Sequence, residues 1–221
     1  MKDKKKLIRI TQGIIDKNLI VSEPFAVAYA LDRFDESLVV DIGAGTTDLC
    51  RMHGSLPEED DQITLKTAGN FLDDELMRAI LKKHPDVQLT PKIIQGMKEK
   101  YGYIADTADP VKVTLLSTGI PAEYDIKDIL RDSCLKLTGP ICTAVQQLIG
   151  SFDPDFQERL RNNIILAGGG SRLKGIDLAV EKSLEAYGGG NVSCVQDAEY
   201  CGAIAALKMS MEMPSEYWEK I

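Results

Sequence analysis

The sequence predicts an α/β fold, a β-meander with flanking helices followed by a further strand–glycine–helix unit. Two apolar runs of strand length, Leu38 to Ile42 and Asn163 to Ala167, each end in a glycine cluster, and stripes of helical period fill most of the chain between them. Composition agrees: 221 residues with 44% hydrophobic and 27% charged side chains can bury a real core without staples. That excludes collagen, low-complexity disorder and disulfide miniproteins.

In chain order, Lys4 to Asp16 reads as a helix through Leu7, Ile10 and Ile14, and Leu19 to Val21 as a short strand. Ser22 and Pro24 open a compact helix over Phe25, Ala26, Ala28, Ala30 and Leu31. Leu38 to Ile42, Thr46 to Met52 and Gln62 to Ala68 form the meander, whose first connection is the turn Gly43-Ala44-Gly45. Asn70 caps a helix to about Lys83, with a Leu72, Leu76, Ile80 stripe and a stop enforced by Pro85. Thr90-Pro91 starts the next helix, with Ile94, Met97, Tyr101 and Ile104 on its apolar face. Val111 to Leu116 and Ile120 to Tyr124 make a hairpin around Ser117-Thr118-Gly119. Two helices, about Ile126 to Leu137 and Pro140 to Ile149, precede a short one begun by Asp153-Pro154. After Asn163 to Ala167 and the glycines, a helix runs from about Leu173 to Tyr187. Val192 to Val195 is a last strand, and Asp197 caps a helix over Ala198 to Glu212.

A net charge of -8 argues against nucleic acid as a partner, because phosphates would be repelled. Lys2, Lys4, Lys5, Lys6 and Arg9 against Asp3 run the other way, either as a solvated helix start or as a contact for anionic lipid or an acidic partner. No apolar run reaches the roughly 18 residues needed to span a bilayer, so the expected location is cytoplasmic without direct membrane insertion. Five cysteines without a C-x-x-C pair predict reduced thiols. With only His53 and His84, neither a histidine metal site nor a Ser-His-Asp triad is expected.

The chemistry concentrates in Asp41-Ile42-Gly43-Ala44-Gly45-Thr46-Thr47-Asp48. Glycines two apart turn backbone amides into one concavity, threonine hydroxyls add donors, and a carboxylate ending the strand can hold the hydration shell of Mg²⁺. The competing reading is a tight polar hairpin. The absence of a third glycine and of Gly-Lys-Ser/Thr excludes the dinucleotide fingerprint and the P-loop. Leu166-Ala167-Gly168-Gly169-Gly170-Ser171 joins a strand to a helix and can admit a base or phosphate at close range. Together they suggest two loops closing on one nucleotide.

These motifs, in this order, resemble the actin superfamily. Asp41 to Asp48 is similar to its second phosphate loop, Ser22 to Leu31 to its first connecting helix, Leu166 to Gly175 to its adenosine loop, Cys201 to Ala205 to its second connecting helix, and Met97 to Tyr101 to the helix with ribose and adenine contacts. The segments VSEPFAVAYALDRF, KTAGNFLDDELMRAILKKHPD and MPSEYW point within it to the magnetosome-aligning bacterial actins.

The resemblance implies an actin-like, ribonuclease H-like ATPase domain II with a truncated domain I. Residues 1–37 would be the first connecting helix region, 38–69 and 150–190 the nucleotide core of subdomain IIA, 70–149 subdomain IIB, and 191–221 the last strand and second connecting helix. It implies ATP or ADP with Mg²⁺ as cofactors. Glu23 would orient the attacking water, or else serve only as a capping-turn carboxylate, and Asp41 would hold Mg²⁺ through water. Gly43, Gly45, Thr46 and Thr47 would contact phosphates. Lys98 and Glu99 would reach adenine and ribose, unless they are ordinary solvated helix charges. Gly168, Gly169 and Arg172 would line the nucleoside pocket. The family's D-x-G-T loop does not precede Glu23, so half of the cleft would come from elsewhere. Implied partners are further copies, full-length filament subunits and magnetosome-associated proteins. The alternative is a non-hydrolysing module that self-associates or copolymerises with a full-length bacterial actin.

Overall fold

The computed structural model describes residues 2–105, 109–198 and 200–220. In chain order its elements are α1 (Lys2–Thr11), β1 (Lys17–Asn18), α2 (Glu23–Ala30), β2 (Ser37–Ile42), β3 (Thr47–Met52), β4 (Gln62–Leu65), α3 (Gly69–Lys83), β5 (Val87–Gln88), α4 (Pro91–Tyr101), β6 (Lys112–Ser117), β7 (Ile120–Asp125), α5 (Lys127–Gly150), α6 (Pro154–Arg161), β8 (Ile164–Ala167), α7 (Ile176–Ser183), β9 (Val192–Cys194), α8 (Cys201–Glu212) and β10 (Glu219–Lys220).

A five-stranded sheet of order β4-β3-β2-β8-β9 organises the molecule. The meander β2-β3-β4 is antiparallel, and β8 and β9 join it in parallel through helical crossovers. Every residue of β2 is buried, so the strand separates two cores by its period of two. Leu38, Val40 and Ile42 face the larger core with Leu72, Ile94, Leu137 and Val145 of the helices α3, α4 and α5. Val39 faces the smaller one with Phe25 and Val27 of α2 and Cys201, Ala205 and Met209 of α8. A second sheet, β5-β6-β7, carries the predicted hairpin. All five cysteines are free thiols.

Several boundaries differ from expectation for physical reasons. Gly13, at φ +81, follows the end of α1 at Thr11, and Ile10 and Ile14 are exposed instead of forming a buried stripe. The expected strand at Leu19 to Val21 is displaced to Lys17–Asn18, which pairs antiparallel with β10. Helix α5 runs unbroken through Pro140, because Leu137, Ile141, Ala144 and Val145 bury one continuous face that outweighs the proline penalty of about 3 kcal/mol. Asn70 does not cap α3, which starts at Gly69 without a side-chain cap. Ser22 lacks a capping hydrogen bond too, and Asp197, at φ +53, lies in the turn before α8. Thr90 and Asp153 do cap α4 and α6.

At the sheet edge carrying the C-terminal end of β3, Arg51 is buried and pairs with Asp61, Nε at 2.9 Å and Nη2 at 2.7 Å from Oδ1, while Nη1 donates to the Leu148 carbonyl at 2.8 Å. The guanidinium stacks 4.2 Å from the Phe152 ring. His53 does enter a Ser-His-Asp chain, with Ser55 Oγ 3.2 Å from Nδ1 and Asp61 Oδ2 3.0 Å from Nε2. Arg51 neutralises that Asp61 and ties it to the end of α5, so the cluster works as a clamp. Burial acts to raise the Asp61 carboxyl, but the Glu58 amide, His53 and Arg51 outweigh it and hold it below the ordinary carboxylate range. A depressed folded-state pKa contributes stability above about pH 4 that is lost as pH falls through it. Asp61→Ala leaves a buried guanidinium unpaired and should cost about 3–5 kcal/mol at neutral pH. Urea unfolding at pH 7 and below pH 4 should show that deficit and then its shrinkage.

Candidate functional site

Strands β2 and β8 are parallel neighbours in the register Val39↔Ile165, Val40↔Leu166, Asp41↔Ala167. Both glycine clusters therefore leave the same edge of the sheet side by side, where open α/β sheets hold their ligands. Between them lies a cleft of about 1240 Å³. Glu23, Asp41, Gly43, Gly45, Thr46, Lys98, Glu99, Gly168, Gly169 and Arg172 all line it. Thr47 does not: it is fully buried, and its Oγ1 donates to the Thr67 carbonyl at 2.8 Å. It holds the loop from behind.

The first loop is braced from within and from α3. The Gly43 amide donates to the Thr46 carbonyl at 3.0 Å, so this amide shapes the turn. Gly69 N donates to Gly43 O at 3.0 Å and Asn70 N to Ala44 O at 2.8 Å. The first amides of α3 thus find acceptors in the loop, which explains why that helix needs no side-chain cap. Thr46 Oγ1 donates to Asp48 Oδ2 at 2.7 Å, and Thr64 Oγ1 to Oδ1 at 2.5 Å. A Cβ built on Gly45 or Gly169 meets nothing within 4 Å.

The second loop closes on the first strand at a distance only glycine permits. Gly168 has φ +74, and a Cβ there would lie 2.3 Å from Asp41 Oδ1 and 2.6 Å from Ile42 O. At the other end of the loop, the Ile104 amide donates to the Lys174 carbonyl at 2.8 Å, which anchors it to the chain leaving α4.

Asp41 continues the face of Val39, so it points to the side of α2 and α8 at the open end of its strand. It is 6% exposed, and burial, then Glu23, then Asp48 push its carboxyl up to about 6. A buried carboxyl facing two other acids suits a cation. Among the described residues no three acidic, histidine or cysteine side chains converge closely enough to chelate an ion directly. Lys98 is not a free helix charge: its Nζ lies 3.1 Å from the Gly69 carbonyl and 3.0 Å from Asp73 Oδ2. Glu99 Oε1 accepts from Gln95 Nε2 at 2.8 Å.

A family model described as MreB/Mbl protein matches residues 16–215. The chain belongs to the MreB/Mbl family of bacterial actin-like proteins. It is 35% identical over 219 residues to the actin-like protein MamK of Paramagnetospirillum magneticum, covering 99% of this chain and 63% of that protein. A solved MamK double helical filament superposes with TM-score 0.92 at 35% identity, covering 96% of this chain and 66% of the other. A non-polymerising MamK mutant bound to AMPPNP superposes with TM-score 0.83 at 35% identity, covering 95% and 65%. This chain spans about 63% of the length of that curated relative. Among the described residues, no helix is long and apolar enough to cross a membrane.

With the family established, the residues that sequence reasoning passed over are also informative. Gly69, Asn70 and Asp73 at the start of α3 line the cleft, as do Gln95 and Gly102 of the α4 segment and Gly202, Ala203 and Ala206 on α8. The signal for the last group was present, since small residues at helical spacing leave one face of α8 free for a close neighbour. Asp73 carried no such signal, because an acidic residue in a first helical turn is ordinary.

The raised Asp41 pKa makes a measurable demand. A carboxyl whose folded pKa lies above its unfolded value destabilises the fold as pH rises from about 4 to about 6, and the penalty is then constant. Asp41→Asn should therefore raise the thermal midpoint of the ligand-free chain at pH 7, with the gain vanishing below about pH 4. An equal gain at both pH values would mean that Asp41 is not desolvated.

Proposed function

We propose that this chain binds an adenine nucleotide together with Mg²⁺ in the cleft and associates with actin-like subunits, its own copies or full-length ones, into filaments. The observation that carries the reading is the convergence of two glycine loops from adjacent parallel strands on one buried carboxylate. The AMPPNP-bound relative and the filament of the same relative support it. In this reading residues 38–69 with 150–190 form the nucleotide core, 70–149 the second lobe, and 1–37 with 191–221 the connecting helices and last strand.

Roles follow from position. The Gly43-to-Thr46 loop would receive the β- and γ-phosphates in the open space in front of Gly45. Asp41 would hold water molecules of the Mg²⁺ shell, and the bound ion would supply charge neutralisation for the polyphosphate. Glu23, exposed at the first residue of α2 and on the cleft wall, would accept a proton from and orient a water at the terminal phosphate. Gly168, Gly169 and Arg172 would line the nucleoside end, with Glu99 at the ribose. Phosphoryl transfer in such a seat is mainly positioning and electrostatics. Association with magnetosome partners, and a location on such filaments in the cytoplasm, belong to the same proposal and rest on the MamK likeness.

The test is nucleotide binding by titration calorimetry. Gly45→Val should abolish ATP binding while leaving the fold intact, because the added side chain enters ligand space from a Cβ that meets no protein atom within 4 Å. Asp41→Ala should remove the Mg²⁺ dependence of the affinity. A folded Gly45 variant with undiminished affinity would overturn the phosphate seat.

Association has its own structural support. On α8, Ile204, Leu207 and Met211 are 54%, 62% and 79% exposed and share one face. Phe25 and Val27 of α2, by contrast, are buried in the α2–α8 core. An apolar stripe of this kind favours a covered state. Leu207→Glu should shift the chain toward monomers in sedimentation at micromolar concentration, without lowering its thermal midpoint. A wild-type chain that is strictly monomeric over that range would contradict the association.

A further inference from the structure

The pair Lys98–Asp73 occupies an unusual place. Lys98, on α4, and Asp73, on α3, have side chains only 13% and 20% exposed, and the ammonium lies 2.9 Å from Asp73 Oδ1 as well as 3.1 Å from Gly69 O. A Cβ at Gly69 would be 3.4 Å from Lys98 Nζ and 3.3 Å from both Gly43 O and Ala44 Cα. The ammonium therefore sits no more than about 7 Å from the loop in front of which a phosphate would lie. A positive charge that close to an anion seat, and largely withdrawn from water, would attract any polyanion.

Asp73 cancels that attraction. Held in a two-oxygen embrace and on a helix carbonyl, Lys98 is both neutralised and fixed in direction. We propose that Asp73 is a positioning residue for ligand selection: it restrains and neutralises the Lys98 ammonium, so that the cleft chooses its ligand by nucleoside contacts and not by phosphate charge alone. The proposal rests on the cleft being a nucleotide seat. It goes beyond that reading in assigning a selective role to Asp73 through its pairing with Lys98 on the cleft wall.

Electrostatics gives the pair of single variants opposite signs. Asp73→Asn preserves shape and leaves Lys98 uncompensated, whereas Lys98→Met leaves the Asp73 carboxylate uncompensated. Binding of inorganic tripolyphosphate and of adenosine should be measured by calorimetry on the full chain, with EDTA present so that only the protein's own charges act. Tripolyphosphate affinity should rise roughly tenfold in Asp73→Asn, fall by a similar factor in Lys98→Met, and return near wild type in the double variant. Added salt should erase these differences. Adenosine, being neutral, should change by less than about twofold in Asp73→Asn.

A purely structural strut gives a different pattern, with both single variants losing both ligands and the double variant no better. That pattern, or equal changes for adenosine and tripolyphosphate, overturns the selective role while leaving the seat in place. Failure of the wild-type chain to bind either ligand overturns the nucleotide reading itself and this proposal with it. If Asp73→Asn does not fold, Lys98→Met alone decides: the charge argument has tripolyphosphate affinity fall more than adenosine affinity and has added salt erase that excess, whereas a strut loses both ligands equally at any salt.

Discussion

The parallel pairing of β2 with β8 is the constraint on which the rest of the molecule depends. Its register sets Asp41 opposite Ala167, and the residues immediately beyond both partners lead into glycine turns. Because side chains alternate along a strand, a slip of one residue would turn Asp41 into the larger core and Val40 toward α2. Such a slip is blocked from both sides. Leu38, Val40 and Ile42 belong to one apolar face and Val39 to the other, and all are fully buried. The hydrophobic pattern of the strand thus determines where its single carboxylate lies.

What the fold then does with that carboxylate is unfavourable to the protein alone. Asp41 is withdrawn from water and faces two other acids, so its charged form is destabilised. The neighbouring structure tolerates no relief, since the Gly168 backbone leaves no space for a side chain against Asp41 Oδ1. Strain of this kind is common where binding, not stability, has selected the arrangement. The Arg51–Asp61 clamp, by contrast, pairs its two buried charges directly. The contrast separates a site from a scaffold within one sheet.

Much of this was legible in the residues. The meander, the hairpin, both glycine turns and the capped starts of α4 and α6 follow from local rules that act over a few positions. The failures share a cause, which is tertiary compensation. Asn70 looked like a cap because a helix start without one is costly; the carbonyls of Gly43 and Ala44, some 26 residues earlier, supply the acceptors. Pro140 looked like a break because no local signal reports that both halves of α5 bury the same face. Thr47 looked like a ligand donor because a hydroxyl beside a glycine turn gives no sign of which side of the strand it occupies. Lys98 lines the cleft, but no local signal reports the partner that holds it, which lies on another helix.

The length of α5 gives the lobe beyond it a mechanical character. Twenty-four residues of continuous helix reach about 36 Å, from the end of the β6–β7 hairpin to the Arg51 clamp. One end is gripped through the Leu148 carbonyl and Ser151, and the other carries the hairpin. A rod fixed at one end behaves as a lever, and a tilt of roughly 5° at the gripped end displaces its tip by about 3 Å. Pro140, which lacks the amide for one rung of the helical ladder, does not interrupt the rod. Leu137, one turn before Pro140, reaches the cleft wall, so a single rigid element links that wall to the hairpin at the far edge of the molecule.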